Sequence, residues 1–242
     1  MTQLITVLKV GGSLGERGGL EPLCPVIGRL ARRWPFVVVP GGGAFAETVR
    51  QAAARFPLRE ATAHWMAIRA VDQYGYLLSD LIPDAAPVFT FRDARRLAGT
   101  DRTPVLLPGD LLRRFDPLPH TWAVTSDSIA AWAALRLKAR RLVLLKDVDG
   151  LFDGDPSQDP TVPLVEEMTA AELAERLRTG RLGGVDGYLP HLLARARFET
   201  WVVNGRRPER LAELFETGRT RGTRIRPGAV RTVAGVGPKR VK

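Results

Sequence analysis

The alternation of short apolar runs with helical segments constrains the fold of this 242-residue chain more than any other feature. Residues 3–9 and 36–39 are almost continuously apolar, which is typical of strands buried on both faces, and a glycine-rich turn follows each run. Helices are predicted at 20–33, 44–56 and 59–81. Strands separated by helices indicate a mainly parallel sheet covered on both faces. We therefore expect an α/β fold, a three-layer sandwich around a central sheet.

The second half of the chain continues this pattern. The predicted elements are strands at 87–90 and 104–107, a helix from Ser126 or Asp127 to about residue 138, a strand at 141–145, helices near 169–178 and 187–197, and a strand at 200–204. No internal repeat or low-complexity linker interrupts them. We expect residues 1–226 to form a single domain whose two lobes divide near residue 115 and share one sheet. The basic segment 227–242 is expected to be a flexible tail.

Composition and charge argue against several classes of protein. The chain is 45% hydrophobic, enough for one sizeable core, and its single cysteine, Cys24, excludes an intramolecular disulfide. No apolar run approaches the roughly 18 residues of a membrane span, and no secretory signal is recognised, so we expect a cytoplasmic protein without a membrane partner. Nucleic acid is not expected either. The net charge of +10 is concentrated in part in 226–242, and the remaining arginines lack interleaved aromatics, although nucleic-acid binding by the basic tail is an alternative.

Lysine is scarce in this chain, and two lysines occupy similar positions. Of 36 basic residues only five are lysine. Lys9 closes the apolar run 4–8 and precedes glycines, while Lys146 closes 142–145 and precedes the segment Asp-Val-Asp-Gly. An ammonium group is a compact point charge that fits between phosphate oxygens, which a planar guanidinium does less well. The pattern favours phosphate chemistry at both lysines, and the alternative is a solvated cation at the end of a strand.

Two glycine-rich turns follow the first two predicted strands, namely Gly11-Gly12 and Gly41-Gly42-Gly43. Without Cβ atoms, such turns can bring backbone N–H groups close to anions, and the helices that follow add positive dipole ends. Ligands in open parallel sheets bind beyond the carboxyl ends of the strands, where both turns are expected. Each turn taken alone is also compatible with a plain strand-to-helix connection. Neither turn matches a Walker or a dinucleotide-binding fingerprint.

Four segments together resemble the amino acid kinase family, which has the fold of acetylglutamate, aspartate, glutamate, uridylate and isopentenyl phosphate kinases. The segments are Lys9-Val10-Gly11-Gly12-Ser13, Pro40-Gly41-Gly42-Gly43, Ser126-Asp127-Ser128-Ile129-Ala130 and the run from Leu144 to Pro156. Their order and rough spacing are those of the family, and the resemblance covers about 3–226. It implies an ATP-dependent kinase with Mg²⁺ held mainly on phosphate oxygens, a small-molecule acceptor and a homo-oligomer.

The resemblance also implies roles for individual residues. The lobe of about 1–115 would hold the acceptor, and the lobe of about 116–226 the nucleotide. The implied catalytic residues are Lys9 and Lys146, which neutralise phosphate charge, and Asp127, which orients the lysine. The implied nucleotide-binding residues are Gly11, Gly12, Ser13, Lys146, Asp147, Gly150, Phe152, Asp155 and Pro156. The implied acceptor-binding residues are Gly41, Gly42, Gly43 and Ser126. No protein side chain is expected to bind a metal ion directly.

The chain departs from the family at the late motif. Many members carry a second catalytic lysine in a Gly-Gly-Met-x-x-Lys motif, whereas this chain has Gly-Gly-Val-Asp-Gly-Tyr at 183–188. Lys146 is a candidate for the missing charge. Asp186 is a candidate partner for a cationic acceptor, and the alternative is that it caps a helix beginning near Gly187. His64 is a candidate phosphate donor, with a satisfied structural histidine as the alternative.

Three further segments resemble one branch of the family, the methanofuran-pathway kinases, whose acceptor is an aminomethylfuran-methyl phosphate. They are Val185-Asp186, Leu189-Pro190 and the run from Trp201 to Gly205. Isopentenyl phosphate, uridylate and amino acid kinases remain alternatives for the acceptor. A nucleotide-binding sensor or storage protein without turnover is a further alternative, because the late lysine is missing.

Overall fold

The computed structural model describes residues 5–16, 18–156 and 158–227. Its strands are β1 (Thr6–Val10), β2 (Phe36–Pro40), β3 (Ala85–Val88), β4 (Thr103–Leu106), β5 (Arg141–Lys146), β6 (Glu167–Thr169), β7 (Glu199–Asn204) and β8 (Thr223–Arg226). They form one eight-stranded sheet in the order β3-β4-β2-β1-β5-β7-β8-β6. All pairings are parallel except that between β7 and β8. The predicted mainly parallel sheet is confirmed.

Helices cover both faces of the sheet. They are α1 (Ser13–Glu16), α2 (Leu20–Ala31), α3 (Gly43–Arg55), α4 (Glu60–Leu81), α5 (Phe91–Leu97), α6 (Gly109–Phe115), α7 (Ser126–Leu137), α8 (Ala170–Arg178), α9 (Leu189–Leu193) and α10 (Pro208–Thr217). Successive residues of the central strands alternate between two cores. Val7 lies in the core that includes α7, whereas Leu8 lies in the core that includes α2. The predicted three-layer α/β sandwich is therefore the observed fold.

The register of the central strands places the predicted site residues along one edge of the sheet. Lys9 lies opposite Val39 of β2 and Leu144 of β5, and Val10 lies opposite Pro40 and Leu145. The chain leaving each of these three parallel strands therefore emerges at the same edge. The glycine turns after β1 and β2 come together there with Lys146, the last residue of β5.

Several boundaries differ from the sequence-based predictions. Helix α9 is five residues long, much shorter than the predicted 187–197, and β3 begins two residues before the predicted 87–90. Helices α1, α5, α6 and α10 and strands β6 and β8 were not predicted. Residues 228–242, which hold almost all of the predicted tail, lie outside the described residues. Within the described part of the chain, no helix combines the length and apolar character needed to cross a membrane.

Candidate active site

The centre of the candidate site is one carboxylate held between two ammonium groups. Asp127 lies in the first turn of α7 and is 1% exposed. Its Oδ1 is 3.0 Å from Lys9 Nζ, and its Oδ2 accepts a hydrogen bond of 2.5 Å from Lys146 Nζ. Helix α7 follows the loop that crosses from one half of the sheet to the other, so its first turn reaches the edge where β1 and β5 end. The structure brings together the three residues predicted to be catalytic.

Burial and charge set the protonation of this cluster. Burial opposes ionisation of Asp127, but the neighbouring Lys9 and Lys146 outweigh it and hold the pKa of Asp127 well below its usual value. Burial also lowers the pKa of Lys9 from 10.5 to about 8, although Asp127 counteracts that shift. At neutral pH the cluster holds two positive charges and one negative charge. Its net positive charge suits the phosphate oxygens of a phosphoryl donor and acceptor.

The two glycine turns are packed directly against each other. A Cβ atom at Gly12 would overlap the backbone nitrogen of Gly43, and one at Gly41 would lie 2.5 Å from Gly12 N. Gly43 also has a φ of +51°, which strongly favours glycine. The hydroxyl of Tyr74, on α4, donates to Gly11 O at 3.3 Å and thereby holds the first turn from behind. These glycines are needed for close backbone contact as well as for any approach by a ligand.

Not every amide of the glycine turns is available to an anion. Gly11 N donates to Leu145 O at 3.0 Å, and Gly41 N donates to Val10 O at 2.8 Å, so both amides extend the sheet. The first amides of a helix lack intrahelical acceptors, and α3 begins at Gly43, after the N-cap Gly42 and close to the end of β2. Gly42 also lines an open pocket beside the cluster, as does Ser126 of α7.

Asp186 is placed differently from the prediction that it meets a cationic acceptor. It is 7% exposed, and its Oδ2 accepts from the amide and hydroxyl of Thr125, both at 2.9 Å, and from Ser128 N at 2.9 Å. Its Oδ1 accepts from Ser128 Oγ at 2.6 Å and from the amides of Tyr188 and Leu189 at 3.1 and 2.8 Å. Six donors leave no room for an ammonium. The capping alternative matches these contacts, and Asp186 joins the start of α7 to the start of α9.

The capping residue of α7 also differs from the prediction. The helix begins at Ser126, and its N-cap is Thr125, whose Oγ1 accepts from Asp127 N at 3.3 Å. The prediction that Ser126 or Asp127 is the cap was therefore wrong. Because Thr125 and Asp186 fix the first turn of α7, the carboxylate of Asp127 is directed towards β1 and β5 rather than towards its own backbone. This orientation makes the contact with both lysines possible.

The predicted nucleotide loop after β5 is fixed by a second charged network. Asp149 Oδ1 accepts from Asn204 Nδ2 at 2.7 Å and from Arg210 at 2.5 Å, and its Oδ2 accepts from Arg221 at 3.1 Å. Three cationic or amide donors lower the pKa of Asp149 to about 2 despite partial burial. Gly150 follows with a φ of +150°, against Thr223 of β8. The network ties the loop to β7, α10 and β8.

The remaining predicted nucleotide residues lie at different depths. Phe152 is half-buried and forms an isolated antiparallel bridge with Leu164. Asp147 is half-buried, whereas Asp155 and Pro156 are exposed further along the loop. Gly12 and Ser13 are half-buried at the other side of β1. Among the predicted nucleotide residues, Lys146 contacts the central cluster directly, through its hydrogen bond to Asp127.

The acidic side chains of the described residues do not form a metal cage. No group of three or more His, Cys, Asp or Glu side chains with suitable geometry occurs within 5–16, 18–156 and 158–227. Asp127 is occupied by two lysines. The residues that are present therefore fit a magnesium ion whose ligands are mainly phosphate and water oxygens, as is usual for this hard cation.

An open pocket lies beside the glycine turn that precedes α3. Its walls come from α3, α4, the segment 120–126 and the first turns of α7. The lining includes Val71, Ile68, His64, His120 and Trp122. Apolar and aromatic groups dominate the walls, while Ser126 and Gly42 bring the near end of the pocket to the lysine cluster. Binding pockets for small molecules commonly combine such walls with a few polar groups.

This combination of a parallel sheet, two glycine turns and a buried Lys–Asp–Lys cluster agrees with the family comparison. The model of the amino acid kinase family matches residues 5–197. The chain belongs to the amino acid kinase family. Its relatives are phosphotransferases, and the chain is accordingly a kinase that acts on a small molecule.

Three relatives illustrate the similarity. The chain is 30% identical over 212 residues to (5-(aminomethyl)furan-3-yl)methyl phosphate kinase of Methanocaldococcus jannaschii, covering 87% of this chain and 92% of the relative. It is 26% identical over 243 residues to a uridylate kinase of Methanococcoides burtonii, covering 92% and 97%. The crystal structure of uridylate kinase from Archaeoglobus fulgidus superimposes with a TM-score of 0.73 at 26% identity and covers 91% of this chain and 99% of that one. The family and fold inferred from the motifs are confirmed.

Several residues of the site were missed by sequence reasoning. Thr125 carried a usable signal, because a threonine two residues before an acidic residue is typical of an N-cap. Tyr74 and His120 carried none, since their contacts join positions far apart in the chain. The Asp149 network was missed for the same reason.

Proposed function

We propose that this chain transfers the γ-phosphoryl group of ATP to the phosphate of a small phosphate monoester, of the type of aminomethylfuran-methyl phosphate. The products would be ADP and the diphosphate of the acceptor. A P–O bond to the β-phosphate breaks as an acceptor phosphate oxygen bonds to the γ-phosphorus. The observation that carries the proposal is the buried Lys9–Asp127–Lys146 cluster beside two packed glycine turns, in a chain that shares 30% identity with a kinase of such an acceptor.

The cluster can supply what phosphoryl transfer requires. The reaction depends on alignment and on stabilisation of charge on the transferring group more than on covalent chemistry. Lys9 would neutralise the charge on that group from the end of β1. Lys146, at the end of β5, would supply the positive charge that many other members of the family obtain from the lysine of their late Gly-Gly-Met-x-x-Lys motif. Asp127 would hold both ammonium groups in place without accepting a proton, because its pKa is already well below neutral. Gly12, Ser13 and the loop after Lys146 would hold the nucleotide.

The proposal also includes the phosphoryl donor, the metal ion, the compartment, the pathway and the oligomeric state. ATP would be the donor, and Mg²⁺ would bind its phosphate oxygens and reduce their charge. The reaction would take place in the cytoplasm, within a methanofuran-type biosynthetic pathway. The chain would form a homo-oligomer, and the exposed apolar side chains Phe45 and Met66 on α3 and α4 support a contact between copies. The kinase would act on a metabolite rather than on nucleic acid or a membrane.

The test is an assay of the purified chain with ATP, Mg²⁺ and a panel of acceptors. The panel contains aminomethylfuran-methyl phosphate, UMP, isopentenyl phosphate and several amino acids. Phosphorus NMR and mass spectrometry identify the products. We expect ADP and an acceptor diphosphate in equal amounts with the furan monoester. ATP binding without turnover of any acceptor would instead support a sensor or storage protein.

Uridylate kinase is the second candidate. The structural match at a TM-score of 0.73 and 26% identity and the relative from Methanococcoides burtonii both favour it. UMP is also a phosphate monoester with a flat ring, so the same chemistry at Lys9 and Asp127 would serve. A value of kcat/KM for UMP above that for the furan monoester would establish this alternative.

A further inference from the structure

The pocket beside the glycine turns extends along helix α4. Glu60, His64, Ile68 and Val71 recur at helical spacing and all line it. The orientation of α4 is fixed by Tyr74, which donates to Gly11 O at 3.3 Å and so lies at the glycine turns. Val71 therefore lines the end near the turns, and Glu60 lines the far end, about 16 Å away along the helix axis at 1.5 Å per residue. The pocket suits an elongated acceptor.

Stacked rings form the middle of the pocket wall. The ring centres of His64 and His120 lie 4.3 Å apart, with an interplanar angle of 20°. The ring of Trp65 packs nearly at right angles to both, with its centre 5.1 Å from each. His120 Nε2 is fixed by Asp116 Oδ1 at 2.7 Å. The stack joins α4 to the loop before α7 and presents flat surface to a ring of an acceptor.

Few charged side chains line the pocket, and they differ in whether another side chain neutralises them. Among the lining residues only Arg50 and Glu60 belong to the fully charged types. The Arg50 guanidinium is paired with Glu47 at 3.1 Å and lies 5.6 Å from the ring centre of Trp122. Glu60 has no ion pair with any residue of 5–16, 18–156 or 158–227. Its negative charge, one helical turn or about 6 Å beyond His64, is available to a ligand.

We propose that Glu60 selects an acceptor that carries a cation, and that the His64–His120 stack holds the ring between this cation and the phosphate. This inference rests on the proposed function, because it requires the acceptor phosphate to face Lys9 and Lys146. It assigns to Glu60 the role that the sequence had suggested for Asp186. An acceptor with a phosphate at one end, a flat ring and an ammonium at the other end matches the three parts of the pocket in order.

Acceptors without a cation match the far end less well. A neutral base or an alkyl tail next to Glu60 would remove water from the carboxylate without replacing it by an opposite charge. A carboxylate-bearing acceptor would in addition be repelled. An ammonium regains a charge-assisted hydrogen bond there. The carboxylate thus favours one class of monoester and discriminates against the others.

The test compares Glu60→Gln with wild type on two matched acceptors, aminomethylfuran-methyl phosphate and the same furan monoester with a methyl group in place of the aminomethyl group. Glutamine keeps the size of the side chain and removes its charge. Glu209→Gln is the matched control, because Glu209 is also acidic in the first turn of a helix but does not line the pocket. Removal of a favourable charge near a helix N-terminus is then common to both variants.

We expect wild type and Glu209→Gln to favour the amine-bearing acceptor, and Glu60→Gln to lose roughly tenfold in kcat/KM for it, mainly through KM, as expected for one partly solvated charge-assisted bond. The value for the amine-free acceptor should stay within about twofold. Equal preference in wild type and Glu60→Gln would overturn the inference, as would a wild-type enzyme that uses both acceptors equally.

A second variant tests the ring platform. His64→Leu replaces the imidazole by an apolar side chain of similar bulk and so removes the stacked ring. We expect it to reduce kcat/KM for both furan acceptors severalfold and to leave isopentenyl phosphate, which has no ring, unchanged. An equal loss on all three acceptors would contradict the role of the stack. If wild type phosphorylates no monoester at all, the proposed function itself fails, a result distinct from any loss of preference.

Discussion

Asp127 and Asp186 are two buried aspartates at the start of neighbouring elements, and their surroundings differ. Asp127 meets two ammonium groups, from Lys9 and Lys146, whereas Asp186 meets six neutral donors from backbone amides and hydroxyls. A carboxylate that neutral donors saturate has become part of the scaffold. A carboxylate between two ammonium groups keeps those cations in position for another anion. The difference suggests that the donors around a buried acid, more than its burial, indicate whether it takes part in chemistry.

The largest expected effect is that of Lys9→Arg. The guanidinium cannot occupy the space of a point charge at the end of β1, where Lys9 is 4% exposed, so turnover should fall by more than about a thousandfold. Lys138→Arg, at the exposed C-cap of α7, is the matched control and should retain wild-type activity. Circular dichroism checks that both variants fold. Activity of Lys9→Arg within about threefold of wild type would show that the charge, without its compact shape, is sufficient.

Asp127→Asn should have the next largest effect. It removes the charge between the lysines, so we expect kcat to fall by more than about a hundredfold. Nucleotide affinity, measured by calorimetry, should change little, because both lysines remain. Asp80→Asn, at an exposed position of α4, serves as the control. A loss confined to nucleotide affinity would make Asp127 a ground-state binding residue and would weaken the contrast with Asp186.

Asp186→Ala should chiefly affect stability. Six donors at the starts of α7 and α9 would lose their acceptor, and some would stay buried, so the free energy of unfolding should fall by about 2 to 4 kcal/mol. Chemical denaturation measures this change. Preference for the amine-bearing acceptor over its amine-free analogue should be the same as in wild type. A lost preference with unchanged stability would restore Asp186 to the acceptor site.

The pH profile of kcat/KM gives the mildest test. Lys9 has a pKa of about 8 in the free enzyme and must be protonated to neutralise phosphate charge, so kcat/KM should fall as pH rises above about 8. Asp127 should add no limb near neutral pH, since its pKa lies far below. In Asp127→Asn the alkaline limb should move to lower pH, because Asp127 raises the pKa of Lys9. A limb that stays in place would mean that another group sets it.

The sequence predicted the parts of the molecule that local patterns determine. Buried parallel strands such as β1 and β5 are continuous apolar runs, and the lysine and glycine motifs directly after them were identifiable without structure. The role of Asp186 was not, because its choice between an ammonium and a helix cap depends on Thr125 and Ser128, about sixty positions away. Strands β6 and β8 were missed because three or four residues of mixed burial give no clear apolar pattern.

The proposed acceptor pocket was the least predictable part. The middle of its wall depends on a stack of His64 and His120 that joins a long helix to a loop, and neither residue belongs to a recognisable motif. The sequence indicated that an acidic residue binds the acceptor, and Asp186 was the residue predicted. Glu60 was not predicted, because it has the pattern of an ordinary exposed residue at the start of a helix. Only the direction of α4, which Tyr74 fixes against the glycine turns, places Glu60 in the pocket.

The backbone contact between the two glycine turns has a consequence for how new specificities can arise in this architecture. Gly12 and Gly43 touch without intervening side chains, so the two turns proposed to hold the donor and the acceptor are in direct backbone contact. In the proposed function, substitutions on α4 or in the loop at 120–122 would change what the pocket accepts without altering the spacing between the turns. Acceptor choice and reaction geometry would then depend on different residues, so that the acceptor could change while the chemistry stays the same.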